Sequence, residues 1–284
     1  MNNLKPLILL AAGGTGGHVF PAEALANELT RRGHSLAFVT DRRGAAYGGS
    51  LGALETYHIS GGGVAGKSVA RTIKSVGSLA AGYFQARTLI RRLKPAAVIG
   101  FGGYASVPAV MAASHLGVPS AVHEQNAVLG RANRLLAGGV ARIATSFDQV
   151  GRVSPRWLDK VRLVGNPVRD AVLAVRTQPY PPAGGPLTLL VVGGSQGAKA
   201  FSDLVPQALI RLPEQLQRRL TVHQQCRAED IDRVTQLYQD YGIAADLQPF
   251  FDDVPARLAA AHLVVCRSGA STVAELAAAG DRPC

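Results

Sequence analysis

The sequence is short of the residues that staple, anchor or coordinate. Its three cysteines, Cys226, Cys266 and Cys284 of 284 residues, lie in the second half without close pairing. That excludes a disulfide scaffold and fits a reducing cytoplasm. Charged residues reach only 17%, below the usual quarter or so, and no Lys/Arg block exceeds two residues, which weakens a nucleic-acid groove. The opening apolar run LILLAA passes directly into GGTGGH and is too short for a signal peptide or a spanning helix. Residues 95–122 carry no formal charge, yet Gly102, Gly103, Pro108, Gly117 and Pro119 cut them into strand, loop, helix and strand, so no transmembrane helix is expected. No pair of His, Cys or carboxylate residues has close metal-ligand spacing, and neither a metal nor another cofactor is expected.

What the chain does have is 47% hydrophobic residues, 32 glycines and 16 prolines. Enough apolar material for a core, with many glycine loops, reads as α/β in two domains and excludes disorder and collagen. The formal net charge of +11 is unevenly placed: residues 1–175 hold 20 basic and 8 acidic residues, net +12, and residues 176–284 hold 10 and 11, net −1. A basic first half suits nucleic acid, anionic lipid or a phosphorylated substrate, or serves solubility alone.

Apolar runs without period-two alternation, each followed by a helical stretch, predict parallel strands with helices on both faces. In the first half the strands fall at 7–12, 35–40, 56–59, 96–100, 119–122, 141–145 and 161–164. The helices fall at 20–32, 67–92, 105–116 and 128–136. The prolines and glycines of RTQPYPPAGGP place a linker at 169–186 between domains 1–168 and 187–284. The second series has strands at 187–193, 219–223 and 262–266 and helices at 197–209, 229–239 and 271–279, giving three or four strands in all.

Four glycine-bearing loops follow strands and open helices, where backbone N–H groups and the helix dipole receive an anion. GGTGGH at 13–18 is neither GxGxxG nor GxxxxGK. Asp41 offers only a moderate substitute for the acidic residue of a dinucleotide site, and a tight turn without ligand is the alternative. His18 sits in the first helical turn, where the dipole favours the neutral imidazole; it is a general-base candidate or a packed, capping histidine. GFGGYAS at 100–106 repeats the device at the same sheet edge, so that two anion-receptive loops face one crevice. HEQN at 123–126 brings polar groups to a strand end, where Asn126 orients a substrate hydroxyl or amide, or Glu124 and Asn126 merely satisfy the loop. GGSQGA at 193–198 adds the Ser195 hydroxyl. CRSGASTVAEL at 266–276 places Glu275 one turn inside a helix, to accept ribose hydroxyls or to sit as a dipole-favoured surface residue.

GGTGGHVFPA, FGGYASVPAVMAA, HEQNAVLGRANRLLA, GNPVR, VVGGSQGA, PFFDD and CRSGASTVAELAAAG, in that order from about Leu7 to Gly280, resemble the MurG family of undecaprenyldiphospho-muramoylpentapeptide β-N-acetylglucosaminyltransferases. The resemblance implies a GT-B fold, with two Rossmann-like domains facing a cleft. It also implies inverting transfer of N-acetylglucosamine from UDP-GlcNAc to the C4 hydroxyl of undecaprenyl-pyrophosphoryl-MurNAc-pentapeptide in peptidoglycan synthesis. The site would be the cytoplasmic face of the anionic inner membrane, without nucleic acid and without a metal. The first domain would take the acceptor and the basic half would lie against lipid.

By the same resemblance Thr15, Gly16 and Gly17 match the acceptor loop, Asn126 the sugar-contacting asparagine, and Arg169 and Ser195 the donor-phosphate positions. Phe251 takes the place whose backbone meets uracil, where its ring should matter little. Ala270, Ser271, Thr272, Val273, Ala274 and Glu275 match the nucleoside segment, and His18 is the base candidate. The family pattern continues past GDRPC into a strand and a glutamine-bearing loop on the donor sugar. A truncated product with little or no turnover and an uncovered sheet edge is therefore the expectation. The alternatives are an inactive acceptor-binding remnant or another GT-B nucleotide-sugar enzyme, such as a glycolipid glucosyltransferase or a 2-epimerase, which should lack HEQN and GNPVR in this arrangement.

Overall fold

The computed structural model describes residues 5–41, 50–61, 69–182, 184–194 and 198–280, in two compact units, Met1–Arg169 and Asp170–Cys284. In the first, seven strands are β1 (Leu7–Ala11), β2 (Ser35–Thr40), β3 (Glu55–His58), β4 (Ala97–Gly100), β5 (Ser120–Glu124), β6 (Arg142–Thr145) and β7 (Val161–Leu163). They form one sheet in the order β3-β2-β1-β4-β5-β6-β7, with every pairing parallel. Helices α1 (Gly16–Arg31), α2 (Val69–Leu93), α3 (Ser106–His115) and α4 (Arg131–Leu136) connect them.

Burial on both faces explains why β1 reads LILLA without alternation. Leu9 and Ala11 join one apolar cluster with Ala109, Val110 and Ala113 of α3, while Leu10 joins another with Val19, Ala22 and Ala26 of α1. A helix thus covers each side of the central strand. The α1 helix starts at Gly16, a turn before the expected Phe20. Pro21 in the sequence looks like a first helical position, but the turn before it is already helical.

The second unit opens on the short α5 (Asp170–Leu173) and continues through β8 (Leu187–Val192), α6 (Lys199–Leu209), α7 (Glu214–Gln217), β9 (Leu220–Gln225), α8 (Ile231–Asp240), β10 (Ala244–Gln248), α9 (Val254–Ala260), β11 (Leu263–Cys266) and α10 (Ala270–Ala279). Its described strands form a parallel sheet, β10-β9-β8-β11. Leu189 and Val191 pack with Val205 and Leu209 of α6 and Val234 and Tyr238 of α8. The stretch expected to be linker is helical at its start: Asp170–Leu173 and a 3-10 turn over Ala174–Thr177 bury Val172 and Val175 within this unit. Apolar anchors there outweigh the proline-rich sequence that follows.

In both sheets the chain reverses direction of travel beside its first strand, between β1 and β4 and again between β8 and β11. Parallel α/β sheets generally bind ligands outside the carboxyl ends of the strands at such a switch point.

Candidate functional site

Strand register brings four of the sequence motifs to one edge of the first sheet. Ala11 pairs with Gly100, and Gly100 with Val122, so GGTGGH, GFGGY and HEQN leave β1, β4 and β5 at nearly one level. The Phe101 amide donates to the Ala11 carbonyl at 2.8 Å. GNPVR follows β7, where the Gly165 amide donates to Thr145 at 3.2 Å. GGTGGH and GFGGY thus lie at the same sheet edge, as the sequence predicts.

The two glycine loops touch. Gly103 has φ +75°, and a Cβ there would stand 2.3 Å from the Gly13 carbonyl oxygen. Gly102 has φ +95°, and a Cβ on it would come within 2.9 Å of the His18 ring at Nδ1 and Cε1. Left-handed backbone and close approach together require glycine at both positions. Thr15 caps α1 in extended conformation without a side-chain cap bond, and the first turn contains no acidic residue. Asp41 is 3% exposed and lies against Gly13.

His18 meets the amide of Gln125, with Nδ1 3.3 Å from Oε1. Gln125 Nε2 donates to the Phe101 carbonyl at 2.9 Å and lies 3.1 Å from His123 Nδ1. His123 Nε2 reaches the Gly165 carbonyl at 3.0 Å. Burial holds the His18 imidazole below its ordinary value, against upward pulls from Gln125, Glu124 and the Phe101 carbonyl; burial also lowers His123. A neutral imidazole accepts a proton at the pH of the cell.

Glu124, 2% exposed, is wholly engaged. One oxygen accepts from the Asn126 amide and side chain at 3.1 and 3.0 Å, the other from the Gly130 amide and the Asn133 side chain, both at 2.8 Å. The loop-satisfying role therefore holds for Glu124, and Asn126 commits its Nδ2 to it while remaining exposed. Arg169 ends the first unit with its guanidinium stacked 4.0 Å over the Phe20 ring of α1, two residues from His18. Sequence reasoning gave Gln125 and His123 no role, although HEQN contains both. Their pairing with residues 107 and 42 positions away exists only once the strands are in register.

In the second unit Val192 pairs with Cys266, so the loop after β8 and the turn Arg267–Gly269 leave adjacent strands side by side. Gly269 is the extended N-cap of α10 and has no side-chain cap bond. Ala270, Ser271, Thr272, Val273, Ala274 and Glu275 form the opening turns of that helix, with Glu275 half-buried. Ser195 lies outside the described residues. Phe251 is 1% exposed, and its ring lies 3.9 Å beneath the Arg257 guanidinium. Arg257 in turn bonds Asp253 at 2.7 Å and Asp246 at 2.5 Å. The ring therefore anchors the PFFDD loop in the core.

Among the described residues no group of three or more His, Cys, Asp or Glu side chains is arranged to hold a metal ion, and no helix is long and apolar enough to cross a membrane. Two parallel Rossmann-like sheets, each with a switch point beside its first strand, are the architecture of the GT-B type. Residues 8–145 match the glycosyltransferase family 28 N-terminal domain and residues 188–282 its C-terminal domain. The UDP-N-acetylglucosamine--N-acetylmuramyl-(pentapeptide) pyrophosphoryl-undecaprenol N-acetylglucosamine transferase of Paramagnetospirillum magneticum is 58% identical over 282 residues, covering 99% of this chain and 76% of the relative. That of Rhodospirillum rubrum is 58% identical over 275 residues, covering 96% and 70%. The crystal structure of Acinetobacter baumannii MurG superposes with a TM-score of 0.64 at 29% identity, covering 96% of this chain and 74% of that one. The chain belongs to the MurG family of N-acetylglucosaminyltransferases within glycosyltransferase family 28.

Proposed function

We propose that the protein transfers N-acetylglucosamine from UDP-GlcNAc to the C4 hydroxyl of undecaprenyl-pyrophosphoryl-MurNAc-pentapeptide, inverting the anomeric centre, for peptidoglycan synthesis. One observation carries the reading of the chemistry. His18, whose imidazole burial lowers from its ordinary value, packs against Gln125 and Gly102 beside the β1–β4 switch point. In the transfer, the acceptor O4–H gives its proton to His18, O4 bonds to the sugar C1 from the face opposite UDP, and the C1–O bond breaks so that UDP leaves with the electron pair.

Thr15, Gly16 and Gly17 would hold the acceptor diphosphate through the N-terminus of α1, and Asn126 the acceptor sugar. Arg169 and the loop bearing Ser195 would stabilise charge growing on the UDP phosphates. The backbone at Phe251 would meet uracil, with the buried ring fixing that backbone. The opening of α10, Ala270 to Glu275, would take the nucleoside, with Glu275 on the ribose hydroxyls. The net +12 of residues 1–175 favours the anionic cytoplasmic face of the inner membrane as the place of work.

The test is a transfer assay with UDP-GlcNAc and the lipid-linked acceptor, accompanied by separate binding titrations of each. The expected product is the β-linked disaccharide. In Glu275→Ala the UDP-GlcNAc Kd is expected to rise by about 10- to 100-fold, as for loss of hydrogen bonds to a charged group, with acceptor affinity unchanged. Equal donor affinity in the variant would remove Glu275 from the site. Acceptor binding without donor binding or transfer would replace the transferase reading with the remnant.

A further inference from the structure

We propose that Gln125 is a positioning residue for the transfer: it holds His18 in the Nδ1–H form and so leaves Nε2 bare to take the acceptor proton. This rests on the reading of His18 as the base and specifies how the fold prepares it.

The assignment follows from two groups that can only accept. The Gly165 carbonyl lies 3.0 Å from His123 Nε2, so that nitrogen carries the proton and His123 Nδ1 is a lone pair in the neutral ring. The Gln125 amide group 3.1 Å from that lone pair must then be its NH2 end. The same NH2 end lies 2.9 Å from the Phe101 carbonyl, the second obligate acceptor. Turning the amide over would set its oxygen against both the carbonyl and the ring lone pair, so the network admits one orientation. The oxygen, Oε1, therefore faces His18 Nδ1 at 3.3 Å, and a hydrogen bond there requires the proton on Nδ1. In a neutral imidazole the other nitrogen is then the acceptor.

Among the described residues, the carboxylate that acts on the ring is Glu124, through its field. Both Glu124 oxygens are filled by the Asn126, Gly130 and Asn133 donors. Gln125 and His123 are buried, so water does not exchange readily into the chain of bonds, and an unmade bond there is costly. Gln125 transmits no proton: its amide is a fixed acceptor at one end and a fixed donor at the other. The chain also ties together Phe101 after β4, His123 on β5 and Gly165 after β7, so the tautomer of one histidine is set by three strand ends.

The test is a long-range proton–nitrogen correlation spectrum of the protein labelled in its histidine nitrogens, at neutral pH, with His18→Ala and His123→Ala assigning the signals. In the unsubstituted protein His18 is expected as Nδ1–H and His123 as Nε2–H. In Gln125→Met, similar in length but without the amide, His18 is expected to go over to Nε2–H, the form in which the catalytic lone pair is capped. In the same variant kcat is expected to fall about 100-fold, as when a catalytic histidine loses its orienting partner, with KM for both substrates within about twofold of the parent.

An Nε2–H signal from His18 in the unsubstituted protein overturns the proposal without recourse to any variant. So does a Gln125→Met protein that loses turnover while keeping Nδ1–H at His18, which would make the residue structural only. Failure of the underlying reading looks different: full turnover in His18→Ala, with both tautomers as assigned here, would dismiss the base and leave the bonding intact.

Discussion

His18→Ala is expected to lower kcat in the transfer assay by about 10² to 10⁴-fold, the range in which a positioned general base contributes, while UDP binding stays as in the parent. The imidazole is held by Gln125 and pushed toward its neutral form by burial, so the acid limb of the kcat profile should fall below the ordinary histidine value of 6.5. The sign is set by the requirement for a bare nitrogen. With the pKa depressed, activity is complete above 6.5 and declines only as the pH drops through the lowered value. Unaltered kcat in the variant, or a limb at or above 6.5, rejects His18 as the base.

A second large effect is expected from Gly103→Ala. The new Cβ would sit 2.3 Å from the Gly13 carbonyl on a backbone at φ +75°. Left-handed backbone costs a non-glycine residue about 1–2 kcal/mol, and forced overlap in a packed site about 1–3 kcal/mol. Together they predict a loss of about 3 kcal/mol and a Tm lowered by roughly 10 °C, measured by thermal unfolding. Turnover should fall as well, because the two loops that flank His18 are driven apart. Gly117→Ala is the control, since Gly117 has φ +71° but nothing within 4 Å of its Cβ position. If both variants unfold at the same temperature, contact between the loops contributes nothing.

The sequence revealed those elements whose residues are apolar throughout. LILLA, SLAFVT and LTLLVV are buried on both faces, and such runs are read as parallel strands. β10 escaped notice because AADLQ is partly polar and lies at the sheet edge, paired only with β9 among the described residues. Among the candidate residues, His18 and the glycine loops stood out because glycine density before a helix has few other causes. Gln125 was not, since a glutamine beside a strand end says nothing about which carbonyl it will meet. The burial of Phe251 was hidden for a related reason: it depends on Arg257, an ion-paired side chain on α9 that folds over the ring.

The carboxylate of Glu124 bears on the moment when the acceptor hydroxyl is deprotonated. On the proposed mechanism the His18 ring would become a cation at that moment, at a position where burial already disfavours the charge, and an isolated cation there would be costly. Glu124 already supplies an attractive field on that ring. Its own oxygens are saturated by donors from the HEQN loop and α4, so it does not strip the proton away. On that mechanism Glu124 would serve as a counter-ion for the imidazolium, fixed in place by the HEQN loop and α4.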